Sequence, residues 1–116
     1  GAVRENSLQF ETIRKFYVLV DTYFKEKKQV QEYADMLNKS PKTLANILSA
    51  YQQPSAIRII HNRIQAEARR LLLYTAKSSK EIALMLGFED QAAFSRFFKK
   101  MNKESLSEYR KREKRE

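Results

Sequence analysis

The chain has 116 residues, enough for one compact domain or two very small ones. It holds two glycines, two prolines and no cysteine, which favours helices over strands and leaves neither a disulfide nor a thiolate metal site. A net charge of +9 and the lack of any apolar run near the roughly 20 residues of a membrane span argue against a membrane protein and for a polyanionic partner.

That charge is unevenly placed. Residues 1–38 balance six Lys/Arg against six Asp/Glu, while residues 39–116 hold 17 against 8 and so carry the whole excess. Nucleic acid is the first candidate partner and an acidic membrane surface the second; the bland alternative is a soluble protein with a basic face. Nothing at the start reads as a signal peptide, and the absence of cysteine fits the cytoplasm.

Residues 1–6 read as a ragged start. From about Ser7 to Lys28, Phe10, Ile13, Tyr17, Val20 and Phe24 recur every three or four positions, as on an amphipathic helix. Val30, Tyr33, Ala34 and Leu37 then mark one face of a short helix. Asn38-Lys39 interrupts it. Ser40 reads as an N-cap followed by Pro41 at the first helical position, and Leu44, Ile47, Leu48 and Tyr51 repeat the same spacing. After the break at Gln53-Pro54-Ser55, a longer helix is expected from Ala56 to about Tyr74, with Ile57, Ile60, Ile64, Ala68, Leu71 and Leu72 as its apolar stripe.

The earlier pattern then returns. Ser79, Ile82, Ala83 and Leu86 match Val30, Tyr33, Ala34 and Leu37 at an offset of 49. Phe94, Phe97, Phe98 and Met101 match Leu44, Ile47, Leu48 and Tyr51 at an offset of 50. Gly87 stands where Asn38 stood, and these two residue types best tolerate a left-handed backbone at a helix end. Asp90 replaces Ser40 as the cap, and Ser78 with Glu81 supplies a capping box. Ser105 and Glu108 form another ahead of a last short helix to about Arg112, with Leu106 and Tyr109 packing back and a frayed, charged tail beyond. The expected fold is all-α. Residues 1–54 form an N-terminal helix and a first helix-turn-helix unit, 55–75 the linking helix, and 76–116 a second unit with a C-terminal helix.

In a helix-turn-helix the first helix braces the second, whose outer face enters the major groove. With each residue placed at 100°, Lys42, Asn46 and Ser49 lie opposite the apolar face of the first unit, with Thr43 and Ala45 flanking. In the second unit Ala92, Arg96 and Lys99 lie opposite the Phe94/Phe97/Phe98 face, with Gln91 and Ser95 flanking. Arg can grip guanine, and Asn and Gln adenine, through paired hydrogen bonds; Ala92 can touch a thymine methyl. No acidic residue occurs between Lys42 and Gln53 or between Gln91 and Lys103. Base reading is therefore assigned to Lys42, Thr43 and Asn46, and to Gln91, Ala92, Ser95 and Arg96. Phosphate contact is assigned to Ser40, Ser49, Lys99 and Lys100. A linking helix of roughly 30 Å approaches the pitch of one DNA turn, about 34 Å, so the reading helices (about 41–51 and 91–101) are expected in successive major grooves.

Ala68-Arg69-Arg70-Leu71-Leu72, Lys80-Glu81-Ile82-Ala83, Leu86-Gly87-Phe88-Glu89-Asp90, Phe94-Ser95-Arg96-Phe97-Phe98-Lys99-Lys100 and Ser107-Glu108-Tyr109-Arg110 closely resemble the signature of the AraC/XylS family. The resemblance runs from about Phe16 to Arg112. It implies seven helices forming two homeodomain-like units, bacterial origin and transcriptional control, usually activation, in the cytoplasm at the nucleoid. It implies double-stranded DNA as partner and RNA polymerase as a second. It also implies a sensing or dimerising domain, commonly N-terminal, through which an effector acts. None is read here, so the chain is expected to be a piece of a longer regulator, monomeric itself although the full-length protein can dimerise. Three departures stand out: family members usually have Gly where Lys103 stands and Pro where Leu106 stands, and often longer polar or basic groups where Ala45 and Asn46 stand.

Other features have plain readings. The helical spacing of Phe94, Phe97 and Phe98 makes them core rather than base-stacking residues, and Tyr74 and Tyr109 read as packing residues too. His61 lacks neighbouring metal ligands. Arg110, Lys111, Arg112, Lys114 and Arg115 read as a solvated tail, with a DNA contact as the alternative. Arg69 and Arg70 either touch phosphate or pair with an acid such as Glu67. No phosphate loop, partnered nucleophile or metal cluster marks an enzyme, and no cofactor is expected. The rival function is a helical protein-interaction module that keeps the fold without reading DNA.

Overall fold

A computed structural model describes the backbone of residues 2–114 and the side chains of residues 6–113. Seven helices follow one another, with no strand among the described residues: α1 (Ala2–Tyr23), α2 (Val30–Met36), α3 (Pro41–Ala50), α4 (Ala56–Tyr74), α5 (Ser79–Met85), α6 (Gln91–Asn102) and α7 (Leu106–Lys114). The all-α, seven-helix fold is as expected. Two compact units form, residues 1–63 and 64–116, and α4 contributes to both.

In the first unit α1 departs from its reading in extent and in facing. It begins at Ala2, not near Ser7, and ends at Tyr23, so residues 24–28 form a turn; Gly1 lies outside the described residues. Its buried stripe is Ile13, Phe16 and Val20, continued by Phe24 in the turn, whereas Phe10 and Tyr17 are 57% and 39% exposed. Phe16 and Tyr17 are sequence neighbours that both fall three or four positions from Ile13 and Val20, and spacing alone does not choose between them. The hydroxyl decides: a buried Tyr needs a polar partner, and Tyr17 finds one at the surface by donating to Gln53 Oε1 at 2.7 Å. Phe16 instead meets the Tyr33 ring edge-on at 5.8 Å. Tyr33 is wholly buried, but its hydroxyl donates to the Lys27 carbonyl at 2.6 Å, and burial pushes its pKa up to about 12. Leu44, Ile47 and Leu48 of α3 and Ala56, Ile59 and Ile60 of α4 complete this core. Ile57, expected in the stripe, is 40% exposed. Ala56 and Ile59 flank it on the inward side, a choice made by packing that spacing permits but does not dictate.

The second unit buries Ile64, Ala68, Leu71 and Leu72 of α4 against Ile82, Ala83, Leu86, Phe94, Phe98, Leu106 and Tyr109. Each large side chain so buried is worth about 1.5–3 kcal/mol. Phe98 joins the Phe94 and Tyr109 rings, edge-on, at 6.2 and 5.3 Å. Phe94 and Phe98 are core, as their spacing indicates, and so is Tyr109. Tyr74 is not: it ends α4 beyond the last buried layer, 80% exposed. Both expected capping boxes close. Ser78 and Glu81 exchange hydrogen bonds at 2.9 and 3.1 Å, and Ser105 and Glu108 do the same. Leu106 opens α7.

Arg110 fits neither reading offered for it. Its guanidinium donates to the carbonyls of Leu72, Thr75 and Lys77 at 2.9, 3.4 and 2.8 Å. It thereby satisfies carbonyls at and just past the end of α4, where intrahelical partners run out. Arg112 pairs with Glu104 at 2.7 Å, and Arg70 pairs with Glu67 at 2.6 Å. Arg115 lies outside the described residues, as does the Lys114 side chain.

Candidate nucleic-acid interface

Both reading helices begin on a side-chain cap. Ser40 Oγ accepts the Thr43 N–H at 3.0 Å, with Pro41 at the first helical position. Asp90 Oδ1 accepts the Ala93 N–H at 2.8 Å. Such caps fix where the helix starts, and hence which residues fall on its outer face. The preceding turns are built alike. Lys39 N–H bonds the Ala34 carbonyl at 3.0 Å and Asn38 N–H that of Asp35 at 3.1 Å. In the second unit Phe88 N–H bonds the Ala83 carbonyl at 2.9 Å and Gly87 N–H that of Leu84 at 3.1 Å. This is the Schellman arrangement, which requires a left-handed residue after the helix.

With α3 held by Leu44, Ile47 and Leu48, its other face carries Lys42, Thr43, Ala45, Asn46 and Ser49, all exposed. With α6 held by Phe94 and Phe98, its outer face carries Gln91, Ala92, Arg96, Lys99 and Lys100, all exposed, with Ser95 half-buried at the flank. Phe97 is half-buried and meets the Phe88 ring at 5.4 Å. Each set of assigned side chains thus shares one helix surface within its own unit. Ser40 is engaged locally: besides capping, its hydroxyl donates to Thr43 Oγ1 at 3.0 Å. Lys99 and Lys100 occupy the last turn of α6, where the helix dipole also favours cations.

Spacing did not reveal what flanks these faces. In the first unit a concavity of about 400 Å³ lies beside Thr43 and Asn46, walled by Gln9 and Thr12 of α1 and by Lys39. In the second, Ala92, Gln91 and Ser95 border a concavity with Lys80 and Leu84 of α5 and with Glu89 and Asp90. A smaller one joins Gln91, Ser95 and Lys99 to Ser79, Ser105 and Ser107. These neighbours come from other helices, so only the tertiary fold brings them to the reading faces. No group of three or more potential metal ligands occurs among the described residues, and none of the described helices is long and apolar enough to cross a membrane.

The arrangement offers two donor-rich helix surfaces free of carboxylates along their length. Comparison with known proteins agrees with it. The C-terminal domain of AraT, a response regulator from Geobacillus stearothermophilus, is 28% identical over 86% of this chain and 84% of its own, with a TM-score of 0.78. Two more distant structures share the fold. The DNA-binding domain of AdpA, a global transcriptional factor solved with a target DNA, is 20% identical over 84% of this chain and 87% of its own, with a TM-score of 0.72. An AraC-type transcriptional regulator from Chromobacterium violaceum is 20% identical over 90% and 93%, with a TM-score of 0.73. No curated protein sequence matches significantly. A family model for the helix-turn-helix domain matches residues 33–112, from within α2 to within α7. With two units of matching turn and cap geometry inside that span, the chain belongs to the AraC-type helix-turn-helix family.

Proposed function

We propose that this chain binds double-stranded DNA in a sequence-specific manner and serves as the output domain of a bacterial transcription regulator. The observation that carries this reading is the pair of exposed helix faces, Lys42/Thr43/Asn46 on α3 and Gln91/Ala92/Arg96 on α6, each capped and acid-free. In this reading those residues, with Ser95, contact base edges, and Ser40, Ser49, Lys99 and Lys100 contact phosphates. The regulator acts in the cytoplasm, usually as an activator that works with RNA polymerase, and any effector acts through another part of the full-length protein. The chain itself catalyses no reaction.

Arg96 is the most discriminating residue to remove, being long, exposed and early in the second reading helix. A target is first selected from random duplexes, and affinities for target and scrambled duplexes are then titrated over a salt series. Arg96→Ala is expected to cost about 1–3 kcal/mol of specific binding and to relax preference at one or two base pairs. Equal losses on target and scrambled DNA would reduce Arg96 to a phosphate contact. If the parent chain selects no sequence at all, the protein-interaction reading takes over.

A further inference from the structure

The concavity beside α3 has the chemistry of an anion site in its own right. Its wall carries the Lys39 ammonium and the amides of Gln9 and Asn46, and no carboxylate lines it. None of these three side chains has a hydrogen-bond or ion-pair partner among the described residues. The Thr12 hydroxyl is committed, donating to the Leu8 carbonyl at 3.0 Å. Leu8, 61% exposed, and Ile47 add an apolar wall. Unpartnered donors beside apolar surface suit a ligand that joins an anion to an uncharged ring, as a deoxyribose phosphate does. The concavity beside α6 differs: Glu89 and Asp90 line it, and they disfavour an anion.

We propose that α1 is a third DNA-contacting helix, in which Gln9, together with Lys39, holds a backbone phosphate beside the base pairs read by Thr43 and Asn46. The inference rests on the DNA-binding reading above and deepens it. Residues 1–32 lie outside the family match, so the contact adds to what the helix-turn-helix units supply. It also answers a weakness of α3, whose outer face offers Ala45 and the short Asn46 where α6 offers Arg96. A phosphate grip beside that face raises affinity without adding base contacts.

The test uses the whole chain and its selected duplex, with single phosphates replaced in turn by neutral methylphosphonates. Gln9→Ala is expected to weaken binding about three- to tenfold, the scale of one ordinary hydrogen bond net of the water it replaces. Lys39→Ala is expected to lower the salt slope by about one. In both variants one methylphosphonate position beside the base pairs read by α3 should lose its effect. Gln9→Lys should tighten binding, which keeps the idea testable if truncation disturbs the fold. A parent that binds specifically while Gln9→Ala and Gln9→Lys leave affinity and interference unchanged overturns this inference and leaves the DNA-binding reading standing. A parent with no sequence preference removes both. A DNA-free change of oligomeric state on Gln9→Ala would assign the concavity to a second copy of the chain and overturn the proposal.

Discussion

Asn38 and Gly87 hold the same left-handed backbone conformation, with φ of 56° and 80°, at matching points of the two turns. A residue with a Cβ is strained there, a β-branched one most of all. Gly87→Val should therefore destabilise the chain by more than about 1 kcal/mol. Asn38→Gly should be neutral or slightly stabilising. Thermal melts of the two variants check this, and a Gly87→Val melt equal to the parent's would refute it.

Lys103 ends α6 in the same conformation, at φ 64° and ψ 13°, with its N–H on the Lys99 carbonyl at 2.8 Å. A Cβ in that region carries a steric cost that Gly avoids. Lys103→Gly is expected to stabilise the chain by about 0.5–1 kcal/mol. Urea unfolding should show a higher midpoint at unchanged slope. A lower midpoint would mean that the Lys103 side chain contributes more than its backbone costs.

The two capping boxes give the chain an acid-sensitive element. The Ser78 N–H bound to Glu81, and the Ser105 N–H bound to Glu108, hold each carboxyl below its usual pKa. A lowered folded pKa means that the contribution is present above the unfolded carboxylate value, about 4.3, and is lost as pH falls through the folded values. Glutamine keeps an acceptor but does not titrate. The Glu81→Gln, Glu108→Gln double variant should lose less stability than the parent between about pH 5 and pH 2. Parallel stability–pH curves would show that these caps do not contribute to acid unfolding.

Lys99 and Asn46 should fail in different ways. Lys99→Ala is expected to weaken all sequences alike and to lower the salt slope by about one unit. Asn46→Ala should leave that slope nearly unchanged and shift base preference instead. Titration of both variants against target and scrambled duplexes separates the roles, and matching profiles would abolish the distinction.

How much of this was legible beforehand depends on the range over which each feature is determined. Ser40, Ser78, Asp90 and Ser105 act within three residues of themselves, so the helix starts could be read from local pattern. The duplication could be read too, because a core-facing helix repeats its apolar spacing. The facing of α1 could not: Phe16 and Tyr17 fit the period about equally, and only the surface partner Gln53 settles which turns outward. Arg110 looked like part of a charged tail because its acceptors lie 33 to 38 residues away. The place of Gln9 beside α3 is likewise a matter of how two helices pack, which no spacing within α1 encodes.

The clasp between Arg110 and the end of α4 also bears on the order in which the chain takes shape during synthesis. A ribosome delivers Leu72 well before Arg110, so the carbonyls of Leu72, Thr75 and Lys77 emerge without the side chain that will hold them. The first unit has no such debt: Arg63 already finds Asp21 at 2.6 Å within residues 1–63. The Arg63–Asp21 pair can therefore close before residue 110 is made, while the carbonyls at the far end of α4 stay open to water until Arg110 arrives.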